Sequence, residues 1–138
     1  MQISTRGRYG LKAVIDIANA EDSETCRVSL KSIATRQGLS ESYLEQIIAP
    51  LKKSGIVKSV RGAGGGYVLC RPSSEITVGD VLRALEGSLA PADCLNSKEI
   101  TCGTNDCELC RTKQVFDRLF ESVNEVVDSV TLKELKKD

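Results

Sequence analysis

The 138-residue chain contains no histidine. Imidazole is therefore excluded both as a metal ligand and as an acid-base catalyst, so any ligand must be a thiolate, a carboxylate or a group from outside the chain. The sequence has no run of eighteen apolar residues, which a membrane-crossing helix would need, and its first residues lack a signal-peptide pattern. Paired carboxylates in an apolar pocket, a nucleophile elbow and a Walker motif are also missing. We expect a cytoplasmic protein that is not an enzyme and has no membrane partner.

Net charge is also absent, since 19 Lys and Arg balance 19 Asp and Glu. The charges are nevertheless segregated along the chain. Residues 1–72 hold 11 basic against 6 acidic side chains, whereas residues 73–138 hold 8 against 13. A basic half suits a polyanion, so any nucleic-acid surface is predicted to lie before residue 73.

Three helices are predicted in the first 55 residues, each opened by a hydroxyl side chain that can cap it. They run from Ser4 or Thr5 to about Ala20, from Ser29 to Gly38, and from Ser40 to Gly55. Two short helices joined by a brief turn at Gly38 predict a helix-turn-helix. The inward stripe of the third helix consists of Leu44, Ile47, Ile48 and Leu51. Pro50 predicts a kink in this helix, because it has no N–H for the carbonyl of Gln46.

A glycine-rich hairpin is predicted to follow. The segment Ile56 to Val60 has the β-branched content of a strand, residues 61–66 form a turn, and Tyr67 to Cys70 is the returning strand. A nucleotide-binding loop is excluded, because neither a Lys-Ser/Thr pair nor a helix start follows the glycines. Glycines let the backbone approach a partner, and Arg61 supplies charge that suits a narrow minor groove. A hairpin that needs only a flexible tip is the alternative.

A long amphipathic helix is predicted near the C-terminus. Thr77 and Asp80 resemble a capping box that opens a shorter helix reaching Glu86-Gly87, and the long helix runs from Arg111 to about Val130. Its apolar face consists of Val115, Leu119, Val123, Val126, Val127 and Val130. We expect this face to pack against the small domain and against a second protomer in a homodimer that reads paired half-sites. A core helix of a monomer is the alternative.

The predicted fold class is mostly α with a small β-wing. Residues 1–87 form a winged helix-turn-helix domain with a supporting helix, residues 88–110 a cysteine-rich loop, and residues 111–138 a dimerisation helix and tail.

Four of the six cysteines, Cys94, Cys102, Cys107 and Cys110, fall within seventeen consecutive residues. In a reducing compartment, clustered thiols are more typical of an iron–sulfur cluster, of zinc or of redox thiols than of structural disulfides, although the even number of cysteines leaves disulfides open. Only one Cys-x-x-Cys pair is present, and the uneven spacing favours the cluster over zinc and over bare redox thiols. The two distant cysteines, Cys26 and Cys70, are predicted to be small packing residues.

Several segments resemble one known family. They are Ser42 to Gln46, Gly55 to Leu69, Ile3 to Gly10, and Leu85-Glu86-Gly87. The chain resembles, over nearly its whole length, the bacterial iron–sulfur cluster regulator family of winged-helix transcription regulators (Rrf-type), which includes nitric-oxide-sensitive and cysteine-metabolism repressors. The resemblance implies a dimeric DNA-binding repressor joined by a long C-terminal helix. It also implies a 2Fe-2S or 4Fe-4S cluster on three cysteines that precede this helix.

The resemblance also suggests individual ligands. A ligand cysteine six positions before an aromatic on the long helix corresponds to Cys110, followed by Phe116; Cys102 and Cys94 match the other two. Some relatives complete the site with an acid at a position that Arg8 occupies here. The fourth ligand is left open, with Cys107 first and Asp93, Asp106 or Glu108 behind it.

For DNA, the resemblance places the outer face of the third helix at base edges and the wing in the minor groove. The predicted contacts are Ser42, Tyr43, Glu45, Gln46, Lys52, Lys58, Arg61, Gly64 and Gly65. Gln can pair with adenine and Glu with cytosine, while lysines neutralise phosphates. Because a carboxylate at a phosphate-rich surface is costly, Glu45 is hypothesised to discriminate against wrong sequences.

The function predicted from these features is a transcription regulator whose operator binding is controlled by the iron–sulfur cluster, through iron–sulfur, redox or nitric oxide sensing. One alternative is a metal-free thiol regulator that acts through a partner enzyme or through cysteine oxidation. Another is a small electron-transfer or scaffold protein.

Overall fold

The structure is a computed structural model that describes residues 2–62, 64–96 and 110–137. Its helices are α1 (Thr5–Asn19), α2 (Leu30–Gln37), α3 (Glu41–Lys53), α4 (Val78–Glu86), α5 (Arg111–Ser129) and α6 (Leu132–Leu135). Two strands, β1 (Val57–Val60) and β2 (Gly66–Leu69), pair antiparallel, with Val57 opposite Leu69 and Val60 opposite Gly66. Short 3₁₀ turns lie at Ser73–Glu75 and Asp93–Leu95. The predicted fold class, mostly α with a two-stranded wing, is confirmed.

The predicted starts of α1, α2, α3 and α4 are confirmed, and a local side-chain hydrogen bond determines each of them. The hydroxyl oxygens of Ser4, Ser29 and Ser40 accept from backbone N–H groups three residues on, at 3.0, 3.0 and 3.1 Å. At α4, Thr77 and Asp80 form a reciprocal capping box. The end of α2 at Gly38 is confirmed too, with the left-handed φ of 67° that favours glycine.

The core lies where α1, α2, α3 and α4 meet beneath the wing. Leu44, Ile47, Ile48 and Leu51 of α3 are each at most 1% exposed, which confirms the predicted inward stripe. The ends of neighbouring elements differ slightly from the predictions. Helix α3 ends at Lys53, β1 begins one residue after Ile56, and β2 ends one residue before Cys70. The helix runs through Pro50 without interruption.

The chain returns to the core after α5. Leu132 at the start of α6 is fully buried, and its N–H donates to the carbonyl of Ile76 at 2.9 Å. The N–H of Val78 in turn donates to the carbonyl of Val130 at 2.9 Å. The C-terminal end of α5 is therefore fixed to the start of α4. The sequence pattern did not predict this short helix.

Helix α5 lies on the surface of the fold, and none of its residues is fully buried. Arg83 of α4 holds it from the side, donating to both carboxylate oxygens of Asp128 at 2.7 and 3.0 Å and to Asn124 at 2.8 Å. In the described ranges, no helix combines the length and apolarity needed to cross a bilayer.

The prediction that Cys26 and Cys70 are packing residues is wrong, since both are exposed. Each lies just outside a regular element: Cys26 in the loop between α1 and α2, and Cys70 immediately after β2. Burial of an isolated cysteine is only a statistical tendency of the residue type, and these loop positions do not follow it.

Candidate nucleic-acid interface and cysteine loop

The first turns of α3 present polar side chains to solvent. Ser42, Glu45 and Gln46 are exposed, as is Lys52 near the end of the helix, whereas Tyr43 is half-buried against the core. This distribution follows from the buried stripe, because positions between the inward apolar residues must face outward. Of the predicted contacts on α3, Ser42, Glu45, Gln46 and Lys52 are therefore exposed to solvent and Tyr43 is not.

A proline in α3 creates a contact that the sequence did not reveal. Pro50 cannot donate to the carbonyl of Gln46 four residues earlier. Arg6, in the first turn of α1, instead donates to this carbonyl through Nη2 at 3.3 Å. The first turn of α1 is itself attached to α4, because Glu86 accepts from the N–H and hydroxyl of Ser4 at 3.0 and 2.5 Å. Helix α3, the predicted DNA-recognition helix, is therefore attached to α1, and α1 is in turn attached to α4.

The wing supplies the second part of the candidate surface. Lys58, Arg61 and Gly64 are exposed, and Gly65 is half-buried. Gly62 and Gly64 have φ values of 108° and 73°, which side chains disfavour, and the Gly65 N–H closes the turn on the Gly62 carbonyl at 2.9 Å. Glycine is therefore required by the backbone here. Ala63 lies outside the described residues.

A charged side chain of α3 acts electrostatically on a residue of the wing. Burial, together with the negative charge of Glu45, raises the pKa of Tyr67 in β2 above its usual value of 10.0. The charge of Glu45 on α3 therefore acts on a phenol of the hairpin.

Arg27 is a further residue that lies beside the wing, and its position there was not predicted from the sequence. Its Nη2 lies 3.7 Å from the position that a Cβ would take at Gly64, at the turn of the wing. In the described part of the chain its Nε is a buried side-chain nitrogen without a hydrogen-bond partner. Arg27 reaches the wing because Val28 pairs with Tyr67 in an isolated β-bridge. A long-range pairing of this kind leaves no local sequence signal.

Two of the four clustered cysteines lie in the described residues. Cys94 is half-buried in the turn Asp93–Leu95, which packs against α5, and Cys110 is the N-cap residue of α5, with Sγ 3.1 Å from the hydroxyl of Thr112. Asp93 is exposed. Cys102, Cys107, Asp106 and Glu108 lie outside the described residues. No group of three potential metal ligands is assembled within the described ranges.

The two cysteines at the ends of the cysteine loop, Cys94 and Cys110, fit an iron–sulfur cluster, whose irons take cysteine thiolates as ligands. Both described members of the set, Cys94 and Cys110, are half-buried thiols, and Cys110 is the N-cap residue of α5. Asn96 and Ser88 share a short hydrogen bond that fixes the segment around Cys94. Both ends of the loop are therefore attached to ordered structure.

The predicted dimerisation face of α5 is largely uncovered. Val115, Leu119 and Val126 are 54%, 45% and 62% exposed, whereas Val123, Val127 and Val130 are half-buried. An apolar groove of about 430 Å³ runs along this face. Its apolar lining comprises Ile3, Leu82, Leu119, Val123, Val126 and Val127.

Comparison with known proteins identifies the family. A profile described as "Rrf2: Iron-dependent Transcriptional regulator" matches residues 3–138. The HTH-type transcriptional regulator CymR of Bacillus subtilis strain 168 is 43% identical over 135 residues, covering 98% of this chain and 89% of CymR. The solved structure of CymR, "the Global Cysteine Regulator of B. subtilis", matches at 41% identity with a TM-score of 0.79, covering 98% of this chain and 95% of that one. IscR of T. potens matches at 47% identity with a TM-score of 0.78, covering 98% and 85%. This chain therefore belongs to the Rrf2 family of iron-dependent transcriptional regulators, and it is a DNA-binding transcription regulator, not an enzyme.

Proposed function

We propose that this regulator binds operators as a homodimer and that an iron–sulfur cluster on Cys94, Cys102, Cys107 and Cys110 controls its affinity. The observation that carries this proposal is the placement of the two loop ends. Cys94 lies in a turn against the side of α5, and Cys110 begins that helix. Thiolate ligation across the loop would fix residues 94–110 to α5, between the proposed DNA-binding surface and the proposed dimer interface.

The cluster, when bound, supplies a charged group whose oxidation state and ligation respond to redox conditions. Side-chain hydrogen bonds of the protein connect α5 to the proposed DNA-binding surface. Arg83 joins α5 to α4, and Glu86 joins the end of α4 to the first turn of α1. Arg6 then joins this turn to the recognition helix. A change in the placement of α5 thus has a bonded route to the DNA surface.

The homodimer is supported by the apolar face of α5. Three of its six predicted contact residues are at least 45% exposed, although they are large and apolar. An apolar surface of this kind on a 19-residue helix is typical of an interaction site, which supports the proposal. A second copy is the simplest occupant, since helix-turn-helix proteins pair to read two half-sites.

The experiment is purification without oxygen, followed by iron, sulfide and DNA-binding measurements. We expect a brown protein that contains iron and acid-labile sulfide, and an operator affinity that differs at least tenfold between the cluster-loaded and cluster-free forms. Cys94→Ala and Cys110→Ala should abolish this difference. Colourless protein, or variants that bind DNA as the parent does in both states, would refute cluster control.

A second candidate function is favoured by the 43% identity to CymR, a relative named as a cysteine regulator in its solved structure. In this candidate the protein is a metal-free thiol regulator that acts through a partner enzyme or through cysteine oxidation. A colourless preparation in which zinc is also absent, and whose DNA binding changes with thiol oxidation, would support it. Colourless protein that carries stoichiometric zinc would assign the loop to a zinc site.

A further inference from the structure

Arg27 lies in the loop between α1 and α2, and its guanidinium reaches the turn of the wing. Its Nη2 lies 3.7 Å from the position that a Cβ would take at Gly64. Gly64 and Arg61 are exposed, and both are predicted DNA contacts. A cation from a separate segment of the chain therefore lies beside the tip of the hairpin.

The backbone on the C-terminal side of Arg27 is attached to the wing. Its neighbour Val28 exchanges both backbone hydrogen bonds with Tyr67 of β2, at 3.1 and 2.8 Å. The two segments can come this close because the next residue of β2 is Gly66, where a Cβ would lie only 2.4 Å from the carbonyl oxygen of Val28. One residue further on, Ser29 caps α2. Arg27 is thus joined both to the hairpin and to the helix-turn-helix.

The positive charge of Arg27 is not neutralised within the part of the chain that the structure describes. None of the ion pairs found there includes it. By contrast, Arg36 and Arg71 of the same basic half are paired with Asp16 and Asp80, at 2.9 and 3.7 Å. A guanidinium without a carboxylate, beside an exposed tip, is available to an anion from outside the protein.

The placement of Arg27 is also costly to the protomer. Its Nε is buried, and among the described residues it has no hydrogen-bond partner. A buried N–H without a partner has lost its hydrogen bond to water and is destabilising. An unbranched apolar side chain such as methionine would fill the buried part of this space without that cost. Contacts among the described residues therefore do not account for an arginine here, whereas a bound anion does.

A DNA duplex supplies anions at the required place. The minor groove is about 6 Å wide, and the phosphates of the two strands form its edges. When the glycine turn enters such a groove, a cation beside the tip lies against an edge and not against the bases. A guanidinium matches phosphate oxygens in charge and in hydrogen-bond geometry.

We propose that Arg27 binds a backbone phosphate at the edge of the minor groove that the wing enters. The contact is supplied by the loop before α2 and not by the hairpin itself. It adds affinity without sequence preference, because a phosphate carries no base information, and it fixes the register of the wing on the duplex. The inference rests on the proposed operator binding, with the wing in the minor groove, but it involves neither the cluster nor the dimer interface.

The first test measures Kd at several salt concentrations on a duplex that the parent protein selects from a random pool. We expect Arg27→Met to bind about fivefold or more weakly and to reduce the steepness of log K against log salt concentration by about 0.9, the value for one phosphate. Arg27→Lys should keep the steepness, since it keeps the charge. The matched control is Lys133→Met, which removes an exposed cation from the acidic half and should change neither quantity.

Two further measurements separate a phosphate contact from a structural role. The urea midpoint of Arg27→Met should not fall below that of the parent, because the substitution removes the unpaired Nε. Duplexes in which a methylphosphonate replaces one phosphate at a time then locate the contact. For the parent, we expect weaker binding when one particular phosphate at the edge of the minor groove is neutralised, and Arg27→Met should lose nothing more at that phosphate.

Arg27→Met that keeps the parent's Kd and salt dependence, while Arg61→Met binds weakly, would overturn the Arg27 contact alone. If both variants bind as the parent does, the placement of the wing on DNA is wrong as well. A lower urea midpoint with unchanged salt dependence would make Arg27 a structural residue and overturn the proposal. The same follows if Arg27→Met responds to every methylphosphonate as the parent does. All proteins are compared in one cluster state, so a failure of cluster control would leave these results unchanged.

Discussion

Helices α3 and α5 carry the same kind of sequence pattern but place it differently. In both, apolar residues recur every three or four positions. The stripe of α3 is at most 1% exposed, whereas Val115, Leu119 and Val126 of α5 are 45% to 62% exposed. Periodicity therefore predicts that a helix has an apolar face, but it does not say which surface covers that face. The contrast separates residues that hold the protomer together from residues that are available to a partner.

The largest effect is expected from Leu44→Ala in α3. Because this side chain is fully buried, its truncation leaves a cavity and should lower the free energy of unfolding by about 2 to 5 kcal/mol. Urea denaturation measures the loss. The matched control on the same helix is Lys52→Ala, which is exposed and should change stability by less than about 0.5 kcal/mol. Equal losses in the two variants would contradict the assignment of the stripe to the core.

The corresponding change in α5 is Leu119→Glu. A charge on the uncovered face should weaken the dimer at least tenfold, because it must be desolvated at the interface, while the protomer stays folded. Sedimentation at several concentrations measures the first effect and circular dichroism the second. Glu121→Gln, also exposed on α5, serves as the control. A parent protein that sediments as a monomer at micromolar concentration would refute the homodimer.

A smaller, pH-dependent effect is expected from Asp128→Asn, which weakens the attachment of α5 to α4. Hydrogen bonds from Arg83 lower the pKa of Asp128 below its usual value of 3.8. A carboxylate with a lowered pKa stabilises the folded state above the unfolded pKa, and this contribution is lost as the pH falls through the folded one. The variant should thus be less stable than the parent at pH 7, and the difference should shrink below about pH 4. Urea denaturation at both pH values checks this sign; a difference independent of pH would exclude the ionised pair.

The smallest effect is expected from Glu45→Gln on the outer face of α3. Removing the charge should lower the raised pKa of Tyr67 toward its usual value, although burial, the larger cause, keeps part of the shift. Ultraviolet titration of the phenol measures this. The same variant should show relaxed sequence preference in selection from a random duplex pool. Unchanged preference would remove the discriminating role proposed for Glu45.

The parts of the fold that the sequence predicts well are those determined within a few residues. Ser4, Ser29, Ser40 and Thr77 cap the predicted helices because each bonds an N–H three positions away. The glycine turn of the wing was equally predictable, since Gly62 and Gly64 have conformations that side chains disfavour. Predictions of this kind need no knowledge of what lies elsewhere in the chain.

The parts that were missed depend on contacts across the chain. Leu132 is buried by segments more than fifty residues away, so its environment cannot be inferred from the sequence that surrounds it. Arg27 joins the candidate DNA surface only because Val28 pairs with Tyr67. Exposure of Cys26 and Cys70 follows from where their loops end. The kink at Pro50 and the ligand set of the cysteine loop remain predictions.

The attachment of α5 at its C-terminal end limits how this helix can move. Val130 accepts a hydrogen bond from the N–H of Val78, and Leu132 donates one to the carbonyl of Ile76, so the proposed change in the placement of α5 would pivot about this end. The helix has 19 residues and is about 28 Å long, and a swing of about 10° displaces its first turn by about 5 Å. The displacement is largest at Cys110 and Val115 and smallest near Val127. In the proposed homodimer, a small rearrangement of the cysteine loop would therefore displace the N-terminal end of each α5 the most.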